Sequence, residues 1–154
     1  MIYLLFQIGS DRYAIEAARV AEVLPPVSLK TVPAAATGIA GVLDYHGTPV
    51  PVVDLRAMTL REPTRARLSS RLLLVRYGSD AARARLLGLL AEQATETIRR
   101  EPAEFQPAGV SPADAPFLGP VTSDARGLIQ RIEPDQLLTA EVRAQLWQQV
   151  ETPA

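Results

Sequence analysis

Apolar residues in this chain come in short runs broken by glycine, proline and polar clusters, a pattern that predicts strands. Ile2–Ile8 is rich in Leu, Ile, Phe and Tyr and stops at the turn signal Gly9-Ser10-Asp11. Tyr13, Ala14 and Ile15 resume the run, so the opening predicts a hairpin. Residues 19–24 carry Val20, Val23 and Leu24 and end at Pro25-Pro26, which continue neither a ladder nor a helix. Residues 29–32 predict a further short strand, again closed by proline. Residues 38–43 and 48–55 flank Asp44-Tyr45-His46-Gly47, a tight connection between two β-runs and so a second hairpin. Pro49 and Pro51 mark its second run as an edge or bulged strand.

The second half repeats the style without echoing the first. Residues 56–71 are polar and basic and read as a connection between halves. Arg71–Tyr77 and residues 85–90, separated by Gly78-Ser79-Asp80, predict another strand pair. For residues 92–98 two readings compete: Thr95 and Thr97 alternate with Glu96 as in a strand, while Ala and Glu favour a helix. Prolines at 102, 107, 112, 116 and 120 remove backbone donors, so residues 101–120 are expected to form a loop. Residues 118–122 and Gly127–Ile132 predict the last strands, turning at Ser123-Asp124. Glu133-Pro134-Asp135 opens a helical turn. Thr139 is the expected N-cap of a C-terminal helix over 139–150, whose stripe of Leu138, Val142, Leu146 and Val150 packs on the sheets. Several short strands with turns between them predict a barrel or sandwich.

Composition narrows the class. With 154 residues, 47% hydrophobic and 21% charged, the chain builds one domain with a sizeable core, or two small subdomains sharing one. A net charge of −1 gives no global field for nucleic acid or anionic lipid. The absence of cysteine excludes disulfides and thiolate sites and fits a reducing cytoplasm. The opening apolar run is short, without a basic leader or small-residue cleavage site, and is read as a strand, not a signal peptide. No run reaches the roughly 20 apolar residues that cross a bilayer.

Candidate chemistry is sparse. One histidine and no cysteine cannot supply a zinc site, so no metal and no cofactor are expected. Asp44 and Asp54 flank one hairpin and read as a turn residue and a strand-end cap. His46 with Ser69, Ser70 or Ser123 would be the only material for a nucleophilic triad, without a G-x-S-x-G elbow. Gly38 and Gly41 form no phosphate-binding motif. Arg56, Arg61, Arg65, Arg67 and Arg71 form a basic stretch read as a solvated connector, with a landing strip for an acidic partner as the competing reading. In Val20-Ala21-Glu22-Val23, alternation puts Val20 and Glu22 on one face, an exposed valine beside a carboxylate, and Val23 on the other.

Two stretches carry a resemblance. YLLFQIGSDRYAIEAARVAEVL has an apolar strand, a Gly turn, "Y-x-I" and "V-x-E-V". GIAGVLDYHGTPVPVVDLR matches a long signature at Gly41, Val42, Asp44, Gly47, Val50, Pro51, Val52, Val53, Asp54, Leu55 and Arg56. More loosely, LLLVRYGSDAARARLLGLLAEQATETI is similar to a late hairpin with its following strand, and GLIQRIEPDQLL to a closing strand and turn. Together these resemble the CheW family of chemotaxis coupling proteins in the correct order over almost the whole chain. The clear departure is His46, where the family usually has arginine at a contact used for docking.

The resemblance implies an all-β fold: two small SH3-like β-barrel subdomains sharing a hydrophobic core, with a short C-terminal helix. The subdomains would span about residues 15–75, and 1–14 plus 76–138. It implies a non-enzymatic, cytoplasmic adaptor at membrane-associated receptor arrays. One docking face would take the regulatory domain of a chemotaxis-type histidine kinase, the other the cytoplasmic tip of a methyl-accepting chemoreceptor. The candidate partner-binding residues are Val20, Glu22 and Val23 on one strand, and Gly41, Asp44, Tyr45, His46 and Gly47 on the hairpin. A small-molecule-binding β-barrel is the alternative, and a hydrolase using His46 a third.

Overall fold

The computed structural model describes residues 1–31, 38–60, 64, 70–78, 85–109, 116–139 and 142–144. Among the described residues, nine strands and the helix α1 run in chain order: β1 (Ile2–Ile8), β2 (Asp11–Glu16), β3 (Val20–Leu24), β4 (Ile39–Tyr45), β5 (Thr48–Asp54), α1 (Leu55–Leu60), β6 (Arg71–Tyr77), β7 (Arg85–Arg99), β8 (Leu118–Asp124) and β9 (Gly127–Ile132). Single 3₁₀ turns lie at Ala17–Arg19, Pro102–Glu104 and Pro134–Gln136. Of the strand expected over residues 29–32, residues 29–31 form only a bridge. Lys30 makes one antiparallel bridge to Val42, with backbone bonds of 2.9 and 2.8 Å, and Val32 lies outside the described residues. Residues 92–98 are a strand, because pairing with β1 outweighs the helix preference of Ala and Glu.

β7 organises the fold. Its first part pairs with β6 (Arg71↔Ala91 through Tyr77↔Arg85) and, in parallel, with β5 (Val52↔Gly88, Asp54↔Leu90). Its last part pairs with β1 (Ile2↔Arg99 through Gln7↔Glu92). β3 flanks β6 and β4 flanks β5, completing one set of strands. β2 flanks β1, β9 runs parallel to β2 and β8 flanks β9, completing the other.

Three hydrophobic clusters follow from alternation along these strands. Leu43, Val50, Val52, Leu72 and Leu74 fill the first set. Tyr3, Leu5, Ala14, Phe105 and Ile129 fill the second. Between them lies the largest cluster, to which both sets contribute: Phe6, Ile15, Val53, Leu55, Leu73, Val75, Leu87, Leu89, Ile132 and Leu137 are among its members. The fold is therefore all-β, two small SH3-like barrels around a shared core. Thr139 caps a helical turn as expected: the Val142 N–H donates to Thr139 Oγ1 (3.2 Å) and the Arg143 N–H to the Thr139 carbonyl (2.9 Å). Leu138 and Val142 pack on the shared core, while Leu146 and Val150 lie outside the described residues.

The signature residues hold this arrangement. Asp54 is buried and caps α1, accepting from the Ala57 N–H (3.2 Å) and from the Thr64 N–H (2.8 Å). The sequence reading missed α1, placing these residues in a connector, although Asp54 ahead of LRAMTL is a start signal. Arg56 is 7% exposed and pairs with Glu92 at 3.0 Å, so it belongs to the interior and not to a basic surface strip. Arg71 is half-buried and donates to the Ser70 carbonyl (2.7 Å), and Arg61, Arg65 and Arg67 lie outside the described residues.

Candidate functional site

The eight residues singled out by sequence sort into structural and exposed groups. Gly41 is buried with φ +151°, and a Cβ there would come within 2.5 Å of the Lys30 carbonyl oxygen, so its role is close backbone approach. Tyr45 and Thr48 are paired, leaving His46 and Gly47 as a two-residue loop. Both have positive φ, +52° and +88°, the signature of a type I′ hairpin turn. Asp44 secures it by accepting the Gly47 N–H at 2.8 Å. The turn carries the exposed His46 to the hairpin tip, where its ring meets that of Tyr45 edge-on, centroids 4.6 Å apart.

On β3 the expected alternation fails. A bulge between Val20 and Glu22 shifts the register against β6: Val20 faces Val75 and Glu22 faces Leu74. Val20 is half-buried and packs on the shared core, while Ala21, Glu22 and Val23 are exposed in succession. The exposed apolar residue beside the carboxylate is therefore Val23, at 44% exposure, and not Val20. Nothing in the residue types of VAEVL announces a bulge, which arises from where β3 meets β6.

The structure joins what the sequence kept apart. The Tyr45 hydroxyl donates to the Glu22 carboxylate, linking the β4–β5 tip to β3. These are the two outer strands of the first set, with β6, β7 and β5 between them. Hydrogen bonding to Glu22, then partial desolvation, then the Glu22 charge raise the Tyr45 phenol above its ordinary range. The contact brings the strand that carries Glu22 and Val23 to the hairpin tip that carries Asp44, Tyr45 and His46, so that apolar, aromatic and carboxylate side chains lie on two joined elements. Such a mixture suits a docking surface.

Material for other chemistry lies elsewhere. Among the described residues no three His, Asp or Glu side chains are grouped to hold a metal ion. Ser70 is buried beside β6, Ser123 is on β8, and Ser69 lies outside the described residues. A depression of about 110 Å³ opens at one end of the second barrel, lined by Leu5, Phe6, Gln7, Arg12, Gln93, Glu96 and Arg126. Its cations are already paired, Arg12 with Asp124 (2.6 and 2.9 Å) and Arg126 with Glu96 (2.8 Å). That volume is well below the roughly 300 Å³ where drug-sized ligand pockets begin. No helix among the described residues is long and apolar enough to cross a membrane.

Comparison with known proteins agrees with the fold. The CheW-like domain family matches residues 3–142. The "Chemotaxis protein CheW" of Helicobacter pylori (strain ATCC 700392 / 26695) is 26% identical over 102 residues, covering 66% of this chain. The match spans 59% of that protein's own length. The crystal structure of the scaffolding protein TtCheW from Thermoanaerobacter tengcongensis superposes with a TM-score of 0.79 at 20% identity, covering 92% of this chain and 89% of that one.

Proposed function

We propose, from the premise that this chain belongs to the CheW-like domain family, that it is a non-enzymatic adaptor coupling chemoreceptors to a chemotaxis-type histidine kinase. The family match over residues 3–142 carries this reading. The residues of the long signature supply caps, close approaches and core, and the exposed residues around Glu22 and His46 supply a surface. An adaptor needs no reactive group: it holds two partners in fixed relative geometry. Its site of action is the cytoplasmic face of a membrane-associated receptor array.

In this reading β3, β4, β5, β6 and the first part of β7 form one subdomain, near the expected 15–75, and β1, β2, β8, β9 and the last part of β7 form the other, near the expected 1–14 plus 76–138. The partners are the kinase regulatory domain and the cytoplasmic tip of a methyl-accepting receptor. Glu22, Val23, Asp44, Tyr45, His46 and Gly47 form one docking area, with Val20 and Gly41 supporting it from beneath. Each contact is small and weak, and repetition in an array supplies avidity. The test is the binding of Val23→Asp and His46→Glu proteins to kinase and receptor fragments, measured separately. Each variant, folded as judged by circular dichroism, is expected to weaken one partner at least tenfold. Unchanged affinity for both partners by both variants removes this area from the docking surface.

A further inference from the structure

β7 must change partners within its length, and its own sequence says little about where. Ala91 is the last residue facing β6, and Glu92 the first facing β1. Between Gln7↔Glu92 and Leu5↔Glu96, two steps on β1 oppose four on β7, a bulge with two extra residues. Gln93 within it has φ +54°, a conformation that costs a residue other than glycine. Within the bulge Ala94 is buried in the shared core, and beyond it Ile98 is half-buried against the cluster of the second barrel. That is a thin apolar pattern for pinning a register against β1.

A buried ion pair sits at the crossover. Glu92 is 6% exposed and Arg56 is 7% exposed, and their charged atoms lie 3.0 Å apart. Arg56 belongs to α1, and α1 is anchored on both barrels. A Cβ on Gly38, beside β4, would strike Met58 Cγ at 2.4 Å, and one on Gly9, in the β1–β2 turn, would reach Leu60 Cδ1 at 3.0 Å. Asp54 fixes the start of the helix. A buried ion pair adds little net stability over apolar residues of similar size, because both charges lose hydration. Its best-attested benefit is to single out one arrangement, since any other strands the charges.

We propose that Arg56 and Glu92 are a positioning pair that sets the residue at which β7 leaves β6 for β1, and so the setting of one barrel against the other. Leaving β6 one residue earlier would put Glu92 inside the bulge and draw its buried carboxylate away from Arg56. The adaptor reading is not required for this, although fixed geometry between barrels is what an adaptor would use.

The test is the double variant Arg56→Met/Glu92→Leu, followed by nuclear magnetic resonance. The protein is expected to fold, with one set of amide signals and native cross-strand contacts from β6 to residues 85–91. Residues 93–98 and the facing part of β1 are expected to show doubled or broadened signals and to lose the Leu5–Glu96 contact. A single native set throughout overturns the proposal, and so does failure to fold, which would make the pair a net stabiliser. Glu92→Gln, a gentler change, is expected to speed amide exchange at least tenfold in residues 92–99 while residues 71–77 keep wild-type rates. Acceleration shared equally by both segments also overturns it.

Discussion

The β4–β5 hairpin and the ladder between β1 and the end of β7 are both antiparallel pairs, yet their registers are specified in opposite ways. In the hairpin everything needed is within five residues: Asp44 accepts from Gly47, His46 and Gly47 take positive φ, and Tyr45 faces Thr48. In the β1–β7 ladder the partner that selects the register is Arg56, separated from Glu92 by 36 positions. Local specification survives disturbance elsewhere in the molecule, whereas long-range specification fails when a distant contact is removed.

The sharpest way to break this contrast is Glu92→Leu alone. Arg56 then keeps its buried charge opposite an apolar side chain. The expected loss is about 3–5 kcal/mol, the scale found when one member of a buried pair is deleted. Urea denaturation at neutral pH measures it. Together with the double variant it forms a comparison in which the single change is worse than the double. A single variant that costs less than the double would end the claim of long-range specification.

How much was legible follows the same division. The hairpin, the Gly9 turn and the cap at Thr139 could be read from residue types because their chemistry is local. Apolar runs bounded by turn residues located β1, β5, β6 and β9 for the same reason. The bulge on β3 could not be read, since Val20 and Glu22 part company only where β3 is laid against β6. Residues 92–98 left strand and helix open, because β1 decides the matter from 85 to 95 positions away, as between Gln7 and Glu92 and between Tyr3 and Ile98. The Tyr45–Glu22 contact was equally hidden: each residue was singled out, but their meeting depends on how the outer strands of one set curve together.

A smaller effect is expected at Asp135, the long-range clamp at the far end of β6. Its carboxylate pairs with Arg19 at 2.5 Å and accepts the Gly78 N–H at 2.8 Å. Burial alone would raise its pKa, but the bonds from Arg19 and Gly78 outweigh that and lower it. The folded form therefore prefers the ionised carboxylate. Its contribution is complete above the ordinary carboxylate range and is lost as pH falls through the lowered folded value. Asp135→Asn is expected to cost about 1 kcal/mol at neutral pH, the site being partly exposed and screened. Denaturation midpoints taken from pH 7 down to pH 3 should converge at the acid end. A gap that widens with acid contradicts the assignment.

Gly47→Ala tests the local side of the comparison. A Cβ there meets nothing within 4 Å, so only the φ of +88° resists it. About 1 kcal/mol is expected, measured by thermal or urea denaturation. Cross-strand contacts from Leu43 to Val50 should persist, because the apolar pattern of both strands supports the turn. A register shift would mean that the hairpin also depends on a single contact.

The least costly change examines a polar link that crosses between the outer strands. Glu22→Gln keeps the shape of the side chain and removes the charge to which the Tyr45 hydroxyl donates. Both residues sit at the surface, so the denaturation midpoint is expected to stay at the wild-type value. The readout is instead the phenol itself: without the carboxylate, Tyr45 should titrate closer to the ordinary tyrosine range, seen as a difference in ultraviolet pH titration between parent and variant. Glu22 ranks first among the causes of the raised value through its hydrogen bond, so its removal should account for most of the shift. If the titrations overlay, the hairpin tip does not lean on β3 in solution. The exposed area would then consist of two separate patches, each free to meet its own partner.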